Sequence, residues 1–282
     1  MAQQERRNET GLGTDQEYLR NEQYRDASNL NARIALHAQY SVNPGNWHRW
    51  VFDHLLASLG TTAPRAVLEI GCGPAYLWME NMDRIPARWE ATLADFSEGM
   101  IAAAQDNLAD ADHRFTYQVA DAQELPFADA SFDAVIANHM LYHVPDRPRA
   151  LAQIQRVLRP EGALFAATNG VDHTKEIDEL FEQFAPQSQM AGSRRMRFSD
   201  SFTLENGEAQ LRQVFSSVTL DIYDDALVVT EVDPLMAYLH STGDGAAITE
   251  EQDHALRTYL TQRIAADGAF RVTKSTGLFM AR

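Results

Sequence analysis

Between residues 65 and 168, short apolar runs alternate with helical segments, and this rhythm restricts the chain more than any other feature. The runs are 65–70 (RAVLEI), 90–95 (EATLAD), 114–119 (RFTYQV), 132–138 (FDAVIAN) and 162–168 (GALFAAT). Helical segments are predicted at 75–84, 98–108 and 147–157. Apolar strands that alternate with helices predict a parallel sheet covered on both faces. After residue 168 the rhythm changes. Helices are expected at 174–185, 205–214, 231–241 and 248–265, and single strands at 217–229 and 269–281. Upstream, residues 15–60 read as helical. The spacing of four in Leu30, Ile34, Ala38 and again in Trp47, Val51, Leu55, Leu59 supports this, and Gly60 supplies a stop. Residues 1–14 are polar and read as a mobile tail.

Charge and cysteine content remove several functions. The chain of 282 residues carries 40 acids against 24 bases, a net charge of −16. Nucleic-acid binding normally requires a basic face, so that partner is disfavoured. Only two of the bases are lysines, Lys175 and Lys274. The single cysteine, Cys72, rules out an internal disulfide framework and any multi-cysteine metal site. The first residues lack the apolar core of a signal peptide. No apolar run approaches the ~18 residues of a membrane span. These features point to a soluble, cytoplasmic protein.

The stretch AVLEIGCGPAYLW (66–78) has the form of a strand entering a nucleotide-binding turn. NAD, FAD and S-adenosylmethionine (SAM) all use such turns. The dinucleotide fingerprint G-x-G-x-x-G places its third glycine where helix and strand pack closely. Counting from Gly71 and Gly73, that position is Tyr76, which would hold the helix off the sheet. Glu69 stands two residues before the first glycine, where a dinucleotide strand is normally apolar. Asp95 ends the second strand, where a carboxylate can accept both ribose hydroxyls of NAD or SAM.

The pattern E-x-G-x-G resembles the class I SAM-dependent methyltransferases, in the branch related to ubiquinone and menaquinone biosynthesis. The similarity rests on VLEIGCGPA (67–75), LADFSEGMI (93–101), VADAQELPFADASFDAVIANHMLYHV (119–144) and RVLRPEGALFAAT (156–168). It is strong over about 65–170 and weaker outside. Ala75 departs from the family's frequent third glycine. The resemblance implies an α/β, Rossmann-like fold with a seven-stranded, mostly parallel sheet and helices on both faces. It implies a mobile tail (1–14), an N-terminal helical lid (15–60) and a SAM-binding core (61–170). The remainder (171–282) would supply cap helices, inserted after the fifth strand, and the last two strands.

The resemblance also implies roles for individual residues. Gly71, Cys72 and Gly73 would let the backbone approach the methionyl part of SAM, with Cys72 contributing only its backbone. Glu69 would support the SAM ammonium, and Asp95 would accept from the ribose hydroxyls. Phe96 and Met100 would pack the adenine ring, although Met100 serves equally well as plain core. Asp121 would accept from the adenine amine, beside the backbone of Ala122. Asn138 would face the methionyl arm and the incoming substrate. In the lid, Tyr18 and Tyr24 would fold over the cofactor, with Tyr18 also a catalytic candidate. Arg33, four residues from His37 and so on the same helix face, would pair with the SAM carboxylate or stand in water.

Methyl transfer is an in-line attack on a sulfonium methyl. The protein mainly aligns the partners and excludes water, and a base is needed only for a nucleophile of high pKa. His139 and His143 in NHMLYHV follow the fourth strand and are the base candidates. His143 also suits a structural hydrogen bond. Tyr142 either lines the pocket or packs. The slot NHML lacks the diproline motif of amino-base DNA methyltransferases. One thiol is too few for arsenic chemistry. Histidines stand where a catechol-type enzyme would hold metal-binding acids, so no metal is expected. Phe181, Phe184, Met190, Met196, Tyr238 and His240 mark the cap as the specificity element, with most of them packing. The expected partners are a small-molecule acceptor and a second copy of the chain in a homodimer. Two alternatives stay open, a SAM-binding enzyme that uses the cofactor otherwise, for instance to make a small ring, and a SAM-binding module without catalysis.

Overall fold

The structure, a computed structural model, describes residues 28–111, 115–186, 201–242 and 248–282, with residues 28–33 described by their backbone. Helix α1 (Ser28–Tyr40) leads to α2 (Trp47–Leu59). Asn46 caps α2 by accepting from the Arg49 amide, and Gly60 at φ +67° ends it. The alternating region follows as β1 (Arg65–Ile70), α3 (Tyr76–Met79), β2 (Trp89–Asp95), α4 (Glu98–Asn107), β3 (Phe115–Val119) and β4 (Phe132–Asn138). A 3₁₀ turn (Leu141–His143), α5 (Arg147–Val157) and β5 (Leu158–Asn169) complete it. The rest comprises α6 (Lys175–Phe184), α7 (Gly207–Leu211), β6 (Val218–Tyr223), β7 (Ala226–Val229), α8 (Val232–Ser241), α9 (Glu250–Asp267), β8 (Phe270–Thr273) and β9 (Thr276–Ala281).

Seven strands form one sheet in the order β3-β2-β1-β4-β5-β9-β6. β1 to β5 are parallel, and β9 enters antiparallel between β5 and β6. β1 pairs with β2 on one side and β4 on the other, so the strand order reverses there. At such a reversal the connections leave toward opposite faces and open a crevice at the carboxyl ends of the strands. Alternation along the strands fills two cores. Val135, Ala137, Leu164, Ala166 and Phe279 face one side, packed by Leu151 and Ile154 of α5. Ala134, Ile136, Phe165, Ala167 and Leu278 face the other, packed by Val51, Phe52 and Leu55 of α2 and by Trp78.

Each of the two C-terminal strands predicted as continuous is broken in two. The span expected as 217–229 divides at Asp224–Asp225, and that expected as 269–281 divides at Lys274–Ser275. Beyond the breaks, β7 and β8 pair as a separate two-stranded sheet. The cause is polar and long-range. The Asp225 carboxylate accepts from Lys274 Nζ at 2.5 Å, Ser41 Oγ at 2.6 Å, the Ala226 amide at 2.8 Å and the Asn43 amide at 3.0 Å. A carboxylate satisfied from four directions holds the bend in place of ladder hydrogen bonds.

The small sheet anchors a third apolar cluster. Leu36 and Tyr40 of α1 join Ile177 and Phe181 of α6, Leu235 and Leu239 of α8, and Leu256 and Leu260 of α9. α1 and α2 therefore serve different cores. The helix expected at 75–84 is only α3. Turns follow it, organised by fully buried Asn81, whose Nδ2 donates to the carbonyls of Leu77 and His48. α7 is likewise shorter than the expected 205–214, whereas the capping box of Thr249 and Gln252 starts α9 where a helix was expected. No helix among the described residues is long and apolar enough to cross a membrane.

Candidate active site

The glycine turn leaves β1 through Gly71 at φ +63° and Gly73 at φ +52°. The Cys72 amide ties the turn to the carbonyl of Ala94 at 3.0 Å. A side chain on Gly71 would put its Cβ 2.7 Å from the Met140 Cβ, so only glycine fits between this turn and the end of β4. Ala75 adopts φ +61° and is fully buried. A left-handed conformation explains why glycine is common at this position. Alanine bears a local cost of roughly 1–2 kcal/mol there.

Asp95, at the end of β2, is 6% exposed. Its Oδ2 accepts from the Gly73 amide at 3.0 Å and its Oδ1 from the Ser97 amide at 2.9 Å. Burial pushes the carboxyl above its ordinary value against the pull of these amides. The Phe96 amide pulls the same way as the other two, and a carboxylate fixed by amides still presents its oxygens as acceptors to hydroxyl donors. Ser97 also caps α4, whose Met100 is 1% exposed, while Phe96 is part-buried. Asp121 Oδ1 accepts from the amide and Nε2 of Gln123, and Ala122 is buried beside it.

Glu69 is buried, with its Oε2 accepting from Trp78 Nε1 at 2.7 Å. Burial pushes its carboxyl up to about 8, so it is neutral at pH 7. Asn138 Nδ2 reaches Glu69 Oε1 at 3.5 Å. Asn138 Oδ1 is buried and has no hydrogen-bond partner among the described residues. Buried acceptors are rarely left so. A titratable carboxyl and an unfilled carbonyl oxygen thus stand together at the glycine turn, and a ligand ammonium meets both needs.

His139 follows β4 in the left-handed region, φ +52°, with its amide donating to the Ala167 carbonyl at 3.0 Å. A non-glycine residue held there costs free energy, and such residues gather at functional sites. The His139 ring lies 5.4 Å from Trp47. Trp47 stacks on Trp50 at 5.1 Å and meets Tyr223 edge-on at 5.2 Å. Burial pushes the imidazole down to about 4, helped by His48 and Lys274, so His139 is neutral at pH 7. Burial lowers His48 to about 4 as well. His143 does not join this group. Its ring packs 4.6 Å from Tyr142, which belongs to the core on the other face of the sheet.

Tyr18 and Tyr24 lie outside the described residues, as does the side chain of Arg33, although its backbone is in α1 with His37. His37 stacks 6.2 Å from His173. Phe181 and Tyr238 are buried in the third cluster and Phe184 packs on Tyr259. His240 is on the surface, paired with Asp253 at 2.8 Å, and Met190 and Met196 are outside the described residues. The sequence reasoning did not assign Trp47, Tyr223, Asp225 or Lys274 to the site. The aromatic-rich WHRW at 47–50 and the rarity of lysine were the available signals. Among the described residues no group of three or more His, Cys, Asp or Glu is placed to hold a metal ion.

A sheet in this order, with a glycine turn at its reversal and an acid ending β2, is the Rossmann-like α/β arrangement that the sequence led us to expect. Residues 68–166 match the methyltransferase domain family. Over 117 residues the chain is 40% identical to the 27-O-demethylrifamycin SV methyltransferase of Amycolatopsis mediterranei, covering 40% of this chain and 41% of the relative. Over 143 residues it is 27% identical to the ubiquinone/menaquinone biosynthesis C-methyltransferase of a Marinomonas species, covering 50% and 57%. The matches thus span about half the length of these curated relatives. In fold the chain is similar to the phosphoethanolamine N-methyltransferase 2 of Haemonchus contortus in complex with SAM. The TM-score is 0.58 at 19% identity, over 94% of this chain and 59% of that one. The matched segment, residues 68–166, is thus similar to class I SAM-dependent methyltransferases of the small-molecule branch, whose cofactor is SAM.

Proposed function

We propose that this chain is a cytoplasmic enzyme that transfers the methyl group of SAM to a small-molecule acceptor without a metal. The observation that carries the reading is the pairing of Glu69 with the unfilled Asn138 Oδ1 beside the Gly71–Gly73 turn. When bound, SAM supplies an electrophilic methyl on a positively charged sulfur. Glu69 and Asn138 receive its ammonium, and the backbone of Gly71, Cys72 and Gly73 lies along its methionyl arm. Asp95 takes the ribose hydroxyls. Phe96 and Met100 flank the adenine, whose amine meets Asp121 and the backbone of Ala122.

His139 orients the acceptor and receives its proton on a ring nitrogen. A neutral imidazole is the form required for that task. Trp47 and Tyr223 shield the reacting atoms from water. His143 holds the 3₁₀ turn that positions this wall. The test is incubation with SAM and a panel of hydroxyl, amine and activated-carbon acceptors, read by mass spectrometry. Formation of S-adenosylhomocysteine with one acceptor gaining 14 mass units (one CH₂) supports transfer, on the order of the 1–10³ s⁻¹ common to enzymes. A product formed from SAM alone assigns the site to other SAM chemistry. Binding without any turnover assigns it to a sensor.

A further inference from the structure

Lys274 is one of two lysines in the chain, and it is nearly buried, at 9% exposure of its side chain. It stands at the β8–β9 break, where β9 begins. Thr276 pairs with Asn169 of β5 and with Tyr223 of β6 at this end of the sheet. Lys274 keeps the alternation of Thr276 and Leu278, and Leu278 belongs to the face packed by α2. That is the face with Trp47 and His139. The contacts agree. Lys274 Nζ lies 5.6 Å from the Tyr223 ring centre, Tyr223 is 5.2 Å from Trp47, and Trp47 is 5.4 Å from His139. The ammonium therefore borders the aromatic wall of the methyl-transfer site.

The partner of Lys274 shows which sign the pocket meets. Asp225 is completely buried, and its oxygens are consumed by Lys274, Ser41 Oγ and two backbone amides. Lys274 keeps donors in hand, because an ammonium has three N–H groups and the Asp225 bond uses one. Other titratable groups beside it are engaged. Glu176 accepts from the Thr273 amide and hydroxyl at 2.8 and 2.6 Å, and His173 Nδ1 accepts from the Ser275 amide at 3.2 Å. The carboxylate is thus turned inward and the cation outward, toward a ring-lined wall and a neutral imidazole. A cationic amine acceptor is mismatched to such a pocket. An acidic hydroxyl is matched to it, because an opposite charge nearby favours its ionised form.

We propose that Lys274, fixed by Asp225, is a specificity-determining residue that orients the oxygen of an acidic hydroxyl, an enol or phenol, for methylation beside His139. The proposal rests on the methyl-transfer reading above. In the step, the hydroxyl proton goes to a ring nitrogen of His139 and an oxygen lone pair forms the new C–O bond. The methyl–sulfur bond breaks with its electron pair left on sulfur, giving S-adenosylhomocysteine. The proton on His139 then passes to water. Lys274 holds the oxygen through its other lone pair and exchanges no proton.

The experiment uses the full chain loaded with S-adenosylhomocysteine and p-nitrophenol as the probe, whose ionised form has a distinct visible absorbance. Wild-type protein is expected to lower the apparent pKa of bound p-nitrophenol by about one unit or more, the range for an opposite charge at short distance. Lys274→Gln should abolish the shift, Lys274→Arg should retain most of it, and both should bind S-adenosylhomocysteine as wild type does. If Lys274→Gln does not fold, the double variant Asp225→Asn/Lys274→Gln removes both charges while keeping a hydrogen bond, and the same loss is expected. An unshifted wild-type probe, no binding of p-nitrophenol, or a shift unchanged without Lys274 would overturn the proposal and leave Lys274 as the clamp of the β6–β7 bend. Failure of wild-type protein to bind S-adenosylhomocysteine would instead remove the methyl-transfer reading itself.

Discussion

With Glu69 receiving the SAM ammonium as proposed above, cofactor binding becomes a proton-release reaction. Its carboxyl is buried, pushed up to about 8, and hydrogen-bonded to Trp78. Below pH 8 it enters the complex protonated, while the arriving SAM ammonium favours the carboxylate. Binding therefore expels its proton. At pH 7 a group of pKa about 8 is ~90% protonated, so full ionisation releases about 0.9 proton per SAM. Affinity should rise nearly tenfold per pH unit from pH 6 to 7. Above that range the α-amino group of SAM, with its own pKa near 8, begins to lose its charge and blurs the effect. The assay is titration calorimetry at pH 6.5 in two buffers of different ionisation heat, where the difference in heat counts protons. Glu69→Gln should release none and show a flat affinity across this range. Equal heats in both buffers for wild type would refute the reasoning, because Glu69 would then keep its proton or be ionised beforehand.

The same groups set the pH dependence of cofactor-free stability. His48 and His139, lowered from 6.5 to about 4, lose stability as pH falls through that window, because the unfolded chain binds the protons they refuse. Glu69, raised from 4.5 to about 8, loses stability as pH rises through its window, so melting temperature should peak near pH 6.5 and Glu69→Gln should remove the fall on the alkaline side. His139→Ala should cut turnover by roughly 10²–10⁴-fold while SAM affinity stays within a few fold, whereas His143→Ala should lower the melting temperature more than the rate. A reversal of these two phenotypes exchanges their roles. Asp225→Ala leaves the Lys274 ammonium buried without its partner and should cost about 3–5 kcal/mol in denaturant unfolding. A loss under 1 kcal/mol would mean that water takes over the ammonium.

What the sequence disclosed follows from range. The strand rhythm from Arg65 to Thr168 and the turn Gly71-Cys72-Gly73 are local patterns, and the structure has β1 to β5 where the apolar runs stand. Val218 to Val229 alternates as one strand would, and nothing within that run announces the bend. The bend depends on Lys274, 49 residues later in the chain, and on Ser41, 184 residues earlier. Trp47 read only as one apolar position on a helix, since its neighbours His139 and Tyr223 come from distant strands. The reach of Trp78 to Glu69 was equally hidden, because it depends on how short α3 is. Residue identity marked Glu69, Asp95 and Asp121, the acids of the proposed cofactor site. It did not mark Trp47, Tyr223 and Lys274 of the proposed acceptor wall, which come from three separate parts of the chain.

The insertion of β9 between β5 and β6 also dictates when the molecule can become whole. β6 meets the main sheet only through β9, and Tyr223 must wait for Thr276. Ser41 and Asn43, made early, likewise find Asp225 only after most of the chain exists. Until residue 281 has been synthesised, the emerging chain presents an open edge on β5 and an unpaired β6, both templates for pairing with other chains. Contacts this distant in sequence close slowly. The half-made protein is therefore exposed to aggregation longest at the edge where β9 later closes the sheet, so slow or stalled synthesis of the last strand should be costlier to yield than the same delay anywhere upstream.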